Sequence, residues 1–130
     1  MKLQKSHLLS LVALALAAPI VASAYEGDWK RGDVYYRMVC SDCHKAQPSG
    51  AVPPNSRTRA EWTAYLQADK HAKGQNSVKT FIGKPYRSSI AGKNKAAAKF
   101  IDVPDEELFA DVQALLMRSA KDGDAPTGCR

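Results

Sequence analysis

The chain has 130 residues, with 19 basic and 13 acidic side chains and a formal net charge of +6 at pH 7. A chain of this length is expected to form one domain. Its three cysteines are too few for a disulfide-dense scaffold.

The first 24 residues have the pattern of a secretory signal peptide. Lys2 and Lys5 precede an apolar run from Leu8 to Val21, and Ala22-Ser23-Ala24 provides a small-x-small cleavage site. The apolar run is short for a membrane span, although an uncleaved membrane anchor is the alternative. We therefore predict cleavage after Ala24.

The mature domain would then comprise residues 25–130, without a further stretch able to span a membrane. Loss of the two signal-peptide lysines leaves 17 basic and 13 acidic side chains, a net charge of +4. Export argues against a nucleic-acid partner, and the mild positive charge is compatible either with simple solubility or with docking on an acidic protein.

A short helix is predicted at the start of the mature domain, with Asp28 as its N-cap. Residues at helical spacing form one stripe, which comprises Gly32, Tyr35, Tyr36, Val39 and Cys43. Glycine weakens a helix, so Gly32 on this stripe suggests a place where another helix approaches closely.

The helix leads into Cys40-Ser41-Asp42-Cys43-His44. This C-x-x-C-H motif is the attachment signature of a c-type haem. Two thiols at this spacing match the two vinyl groups of one porphyrin, and His44 follows directly as the proximal iron ligand. A thioredoxin-like thiol pair would need a βαβ context, which is not visible. A zinc site would need a second Cys/His pair, which is missing.

These features together resemble the class I c-type cytochromes of bacteria. That family often carries a glycine eight residues before the first haem cysteine and an aromatic residue four before it, as Gly32 and Tyr36 stand here. The resemblance implies an extracytoplasmic protein, because haem is attached after translocation. It also implies that the carbonyl of Pro53 or Pro54 accepts a hydrogen bond from the proximal histidine, although either residue could be a plain loop proline.

A second helix is predicted from about Arg59 to Ala68. Thr58 and Glu61 have the spacing of a capping box, and Trp62 and Tyr65 would turn toward the haem pocket. One interpretation is that both side chains simply pack in the core. The other is that one of them donates a hydrogen bond to a haem propionate.

Residues 69–102 carry the fewest signals of secondary structure, and only residues 93–100 have a helix-forming composition. A last helix begins with Pro104 at its first position. Its apolar stripe comprises Leu108, Phe109, Val112, Leu115, Leu116 and Ala120. Residues 111–116 resemble the C-terminal helix of class I cytochromes, which packs across the N-terminal one, with Gly32 expected at the crossing.

The second axial position of the iron is where the chain departs from the family. The typical ligand is a methionine in the loop before the last helix, and no methionine lies between His44 and Pro104. Residues 90–95 look like that loop, with Lys95 in the place of the methionine. Ordinary His/Met ligation is therefore not expected.

His71 is the ligand we favour at this position, because it follows the helix at 59–68 where the chain should turn toward the distal face. An exposed loop histidine is the alternative. Weaker candidates are Met38 and Met117, both displaced from the apolar stripes, the Cys129 thiolate, and a neutral Lys93 or Lys95; the site could also be open. Cys129 leaves either a monomer or a disulfide-linked dimer.

The sequence thus predicts an all-α, cytochrome c-like domain whose N- and C-terminal helices cross around one covalent haem. We expect a periplasmic electron carrier that serves other redox proteins and is not itself an enzyme, because no catalytic constellation is visible. Two alternatives remain: a haem-based binder of small gas ligands, and an electron-relay subunit of a larger periplasmic enzyme.

Overall fold

The computed structural model describes residues 24–127, which contain seven α-helices and no strand. The helices are α1 (Trp29–Tyr35), α2 (Ser41–Lys45), α3 (Arg59–Ala68), α4 (Val78–Ile82), α5 (Lys84–Ile90), α6 (Lys95–Lys99) and α7 (Asp105–Ser119). A π-helical turn, Tyr36–Cys40, joins α1 to α2, and 3₁₀ turns cover Pro54–Ser56 and Ala72–Gly74. The all-α prediction is confirmed at this level. The predicted signal peptide, apart from Ala24, and Cys129 lie outside the described residues.

The longest helix, α7, packs against α1, and Gly32 lies at their closest contact. A Cβ atom at Gly32 would overlap the backbone carbonyl of Asp111. The predicted meeting point of the two helices is therefore confirmed. Within residues 24–127, no helix is both long and apolar enough to span a membrane.

The carboxylate of Asp111 holds the start of α1 against α7. Its side chain is fully buried and accepts hydrogen bonds from the Tyr25 hydroxyl at 2.6 Å and the Asp28 amide at 2.6 Å. Arg31 forms an ion pair with Asp111 and bonds Glu107 at 3.1 Å. The hydrogen bond to Asp111 raises the pKa of Arg31 above its usual range. Buried charges need such partners, so this network fixes where α1 begins.

Tyr35 lies at the centre of the core and is fully buried. Its ring meets that of Phe100 edge to face, with centroids 5.1 Å apart, and its hydroxyl donates to the Phe81 carbonyl at 2.6 Å. Burial raises the pKa of Tyr35 far above its usual value, so the hydroxyl stays protonated and remains a donor. Tyr35 thus links α1 to α4 and to the end of α6.

Local capping signals in the sequence are reproduced by the structure. The Asp28 carboxylate accepts from the amides of Lys30 and Arg31, as expected of an N-cap. At α3, the Thr58 hydroxyl and the Glu61 carboxylate form the predicted capping box, and the predicted bounds of this helix are confirmed.

The region from Asp69 to Asp102 holds more structure than the sequence indicated. The helical turns expected around 93–100 are present as α6, whose N-cap is Asn94. Neither α4 nor α5 was predicted. Each spans at most seven residues, and periodicity is weak over so few residues. Ser77 caps α4 with its side chain, and Pro85 stands in the first turn of α5.

Arg87 is a buried cation that joins α5 to the beginning of α7. Its side chain is fully buried, it donates to the carbonyls of Phe100 and Val103, and it forms an ion pair with Asp105. The guanidinium group therefore supplies partners for two buried carbonyls that lie outside any helix.

The start of α7 lies one residue later than predicted. Pro104 is its N-cap, with extended backbone angles, and the first helical residue is Asp105. The helix ends at Ser119, and the chain then folds back: the Thr127 amide donates to the Ser119 carbonyl, and Asn55 donates to Thr127. The tail thereby ties α7 to the loop that follows the C-x-x-C-H motif.

Gly32→Ala should destabilise the protein by about 1–3 kcal/mol, the usual cost of overpacking a core, although alanine favours a helix. The added methyl group must displace the Asp111 backbone. Gly92→Ala is the matched control, because nothing lies within 4 Å of a Cβ built there. Urea unfolding of both variants is the measurement, and equal midpoints would contradict the close contact.

Arg87→Met should cost about 1–3 kcal/mol, the range for leaving a buried polar group without its hydrogen-bond partner, because Asp105 is about half exposed and is not left as a buried charge. Methionine retains much of the volume but leaves the Phe100 and Val103 carbonyls without their donor. The control is Arg37→Met, which removes an exposed i,i+4 pair with Asp33 worth at most about 1 kcal/mol. Thermal unfolding should separate the two variants clearly.

Candidate functional site

The π-helical turn Tyr36–Cys40 distorts the helix just before the C-x-x-C-H motif. The Ser41 amide donates to the carbonyl of Tyr36, five residues back, so the stripe expected of a regular helix is broken here. The side chain of Asn94 satisfies the Met38 carbonyl within the turn at 2.8 Å. Single π turns occur mostly at functional sites, and this one brings both Tyr36 and Cys40 to the wall of one cavity.

The two motif cysteines are free thiols at the edge of that cavity. Cys40 is half-buried and Cys43 is exposed. Burial raises the pKa of the Cys40 thiol to about 12, so this sulfur is protonated at neutral pH. Thioredoxin-like cysteines instead have lowered pKa values, and the structure therefore gives no support to an activated thiol pair.

The cavity has a volume of about 700 Å³, inside the range of roughly 300–1,000 Å³ found for small-molecule and cofactor sites. Its walls are mainly apolar and aromatic. They come from the motif, from the loop after it, from α3, from the segment around His71, from α4 and α5, and from α7. Most elements of the fold, apart from α1 and α6, thus contribute to one cavity.

His44 and His71 both line the cavity, and their rings face one another. The ring centroids are 5.6 Å apart and the ring planes lie at 68°. Two imidazoles on opposite sides of one metal ion, with metal–nitrogen distances of about 2.0–2.1 Å, have centroids about 6.4 Å apart. The structure therefore brings together the two histidines that the sequence analysis singled out, within about 1 Å of the separation that a shared ion needs.

His71 is held through its ring as well as its backbone. Its Nδ1 atom lies 2.5 Å from the Tyr65 hydroxyl, and its ring contacts Phe81 with centroids 5.0 Å apart. Burial, and then the nearby His44, lower the pKa of His71. The ring is therefore neutral at pH 7, as a metal ligand must be.

The hydrogen bonds around the cavity agree with the plainer of the two roles considered for Trp62 and Tyr65 and for the loop prolines. The indole N–H of Trp62 donates to the Pro54 carbonyl at 2.7 Å, so it is not available for a propionate. His44 Nδ1, which was expected to donate to a proline carbonyl, is buried without a hydrogen-bond partner among residues 24–127. Tyr65 was the other candidate for a propionate contact, and its hydroxyl is occupied by His71.

Arg57 is a cavity residue that the sequence analysis did not identify. Its guanidinium lies 5.2 Å from the ring centroids of both Trp62 and Tyr65 and lines the cavity. It forms no ion pair with any carboxylate in the described part of the chain. A cation stacked on two aromatic rings beside an apolar cavity is suited to hold an anionic group. In the sequence, only the position of Arg57 just before the capping box points to a place near the cavity.

Among residues 24–127, the other candidate ligands do not line the cavity. Met38 is half exposed, at 50%, as its displacement from the stripe predicted. Met117 packs beside α3, where its sulfur accepts a weak hydrogen bond from Thr63. Lys93 and Lys95 are exposed at the start of α6. Phe81 and Tyr86, which were not predicted as site residues, line the cavity instead.

Across residues 24–127, no group of three or more His, Cys, Asp or Glu side chains is placed to hold a metal ion by itself. Comparison of the chain with protein-family models, with curated proteins and with solved structures gives no match. The candidate site is therefore interpreted from its own geometry.

Proposed function

We propose that this chain is a periplasmic one-electron carrier with a single haem c, bound covalently by Cys40 and Cys43 and axially by His44 and His71. The observation that carries the proposal is the placement of the two imidazoles, 5.6 Å apart, in the cavity that the two motif thiols border. Other redox proteins of the periplasm are the proposed partners, and residues 1–24 the proposed export signal.

The residues present fit an iron porphyrin on four counts. Two free thiols stand at vinyl spacing in the sequence. His44 lines the cavity, and the ring of a neutral His71 lies 5.6 Å from its ring. The walls are apolar, as a cofactor site requires. A haem bound there would supply one-electron chemistry between ferric and ferrous iron.

The chain itself would position the haem, bury it and provide a positive charge for its propionates. Cys40 and Cys43 fix the group to α2 and the turn before it, while His44 and His71 approach from opposite elements. The aromatic walls keep water away, which favours electron transfer over side reactions. Arg57, which has no carboxylate partner among the described residues, is the proposed contact for a propionate.

A class I-like cytochrome fold is part of the same proposal. It is supported by the packing of α7 on α1 at Gly32 and by the position of the motif directly after α1. The distal side differs from that family, because a histidine on the segment after α3 takes the place of a methionine before the last helix.

The position of His71 favours an electron carrier over a gas-binding sensor, since a sensor needs an open or easily vacated axial site. An electron-relay subunit of a larger periplasmic enzyme would use the same site and the same residues. Copurification from the native periplasm distinguishes that role from a free carrier.

Covalent haem should be retained by the wild-type protein and lost when both motif thiols are removed. The wild type and Cys40→Ser/Cys43→Ser would be expressed with export in a host that attaches haem c. Mass spectrometry of the denatured chain and a pyridine haemochrome spectrum measure attachment. Cys129→Ser is the matched control and should keep its haem, because it leaves the motif intact. A wild type without covalent haem would refute the proposal.

His71→Ala should abolish the low-spin signal of the oxidised protein, measured by low-temperature EPR, because the second imidazole is gone. CO should then bind the reduced variant promptly. Met117→Leu is the control and should match the wild type. Bis-histidine ligation also predicts a midpoint potential below that of His/Met cytochromes, because methionine ligation raises the potential. A wild-type EPR signal from His71→Ala would show that another residue is the ligand.

A further inference from the structure

We propose that Tyr65 is a positioning residue for the distal ligand: its hydroxyl selects Nε2 of His71 as the iron-binding nitrogen and strengthens that ligand. The inference rests on the proposed haem function. It is carried by one contact, the 2.5 Å separation of the Tyr65 oxygen and His71 Nδ1, and by the way each partner is held.

Tyr65 presents its hydroxyl from a rigid support. It lies in α3, whose start is fixed by the capping box of Thr58 and Glu61. Its ring packs edge to face on Trp62, with centroids 5.7 Å apart, and Trp62 is itself bonded to Pro54. The Arg57 guanidinium covers both rings. The hydroxyl therefore has little freedom to move away from its partner.

The segment that carries His71 is strained and depends on such contacts. Asp69, Ala72 and Lys73 all have positive φ, and they are the non-glycine residues with this conformation in the described chain. Each costs about 1–3 kcal/mol unless its surroundings hold it. The backbone of His71 is paired with Asn76, which fixes the main chain but leaves rotation of the ring to be set by Tyr65 and Phe81.

The contact decides which ring nitrogen is free. A neutral imidazole has one N–H and one lone pair, and Nδ1 is committed to Tyr65. Nε2 is left to face the cavity. When Nε2 gives its lone pair to a metal ion, Nδ1 must carry the proton, so Nδ1–H donates and the phenolic oxygen accepts. Donation of this kind fixes the ring orientation and raises the basicity of a ligating histidine.

A more basic imidazole stabilises ferric iron more than ferrous iron. Loss of an outer hydrogen-bond partner typically costs 10–100-fold in metal affinity. Tyr65→Phe should therefore accelerate CO binding to the reduced protein by about tenfold or more, because His71 dissociates more readily. If the preference for ferric iron falls about tenfold, the midpoint potential rises by about 59 mV.

The test compares Tyr65→Phe with Thr63→Val, both loaded with haem. Thr63 lies on the same helix but does not line the cavity, and its hydroxyl contacts Met117, so the control removes a hydroxyl from α3 without touching the ligand. Redox titration, EPR g values and CO association rates are the readouts. Shifts in Tyr65→Phe alone support the proposal, whereas a Tyr65→Phe protein identical to wild type in all three overturns it.

A measurement on the wild type covers the case in which Tyr65→Phe fails to fold. NMR of the reduced, diamagnetic protein should show a slowly exchanging Nδ1 proton on His71, with an Overhauser effect to the Tyr65 ring. A rapidly exchanging proton, or none, would overturn the role of Tyr65. Absence of haem from the wild type, or a wild-type EPR signal in His71→Ala, would instead mean that the proposed function or ligand has failed.

Discussion

The contact between Gly32 and the backbone of Asp111 is the constraint on which the rest of the fold depends. Only a residue without a side chain lets α1 and α7 approach so closely, and the buried carboxylate of Asp111 then becomes available to bind the start of α1. An unpaired buried charge would be very costly. The hydrogen bonds of Asp111 to Tyr25, Asp28 and Arg31 therefore make the contact both close and specific in register. The turn at 54–56, α3 and α4 pack against α7, and α6 packs against α1.

The cavity is a consequence of that arrangement. Once α1 is fixed, the π turn directs Tyr36 and Cys40 inward, and Tyr35 anchors α4 through the Phe81 carbonyl. Phe81 in turn contacts His71. Arg87 binds the connection between α6 and α7 to α5, which sets the wall that carries Tyr86. The two histidines thus face each other because separate elements are each tied back to the helix pair, and not because they are near in sequence.

Local signals in the sequence predicted the parts of this fold that depend on neighbours along the chain. The Asp28 cap, the Thr58–Glu61 box and the periodicity of α7 involve residues within a few turns, and the structure contains all of them. The short helices α4 and α5 were not predictable, because their stability comes from burial against α7 and from Arg87. Nor could the sequence give the partners of Trp62 and Tyr65, since a donor group selects among acceptors only when the fold has placed them. The C-x-x-C-H motif indicated the chemistry, and only the folded chain brought His71 opposite His44.

The pairing of α1 with α7 also determines the order in which parts of the fold can form during synthesis. Its hydrogen bonds join residues 83 and 86 positions apart. A polypeptide is made from its N-terminus, so the C-x-x-C-H segment exists well before the helix with which α1 pairs. Until that helix is made, the Asp28 amide lacks its acceptor on Asp111, and the cavity lacks the wall formed by Val112 and Leu116. The last helix therefore completes the cavity only after the motif has been made.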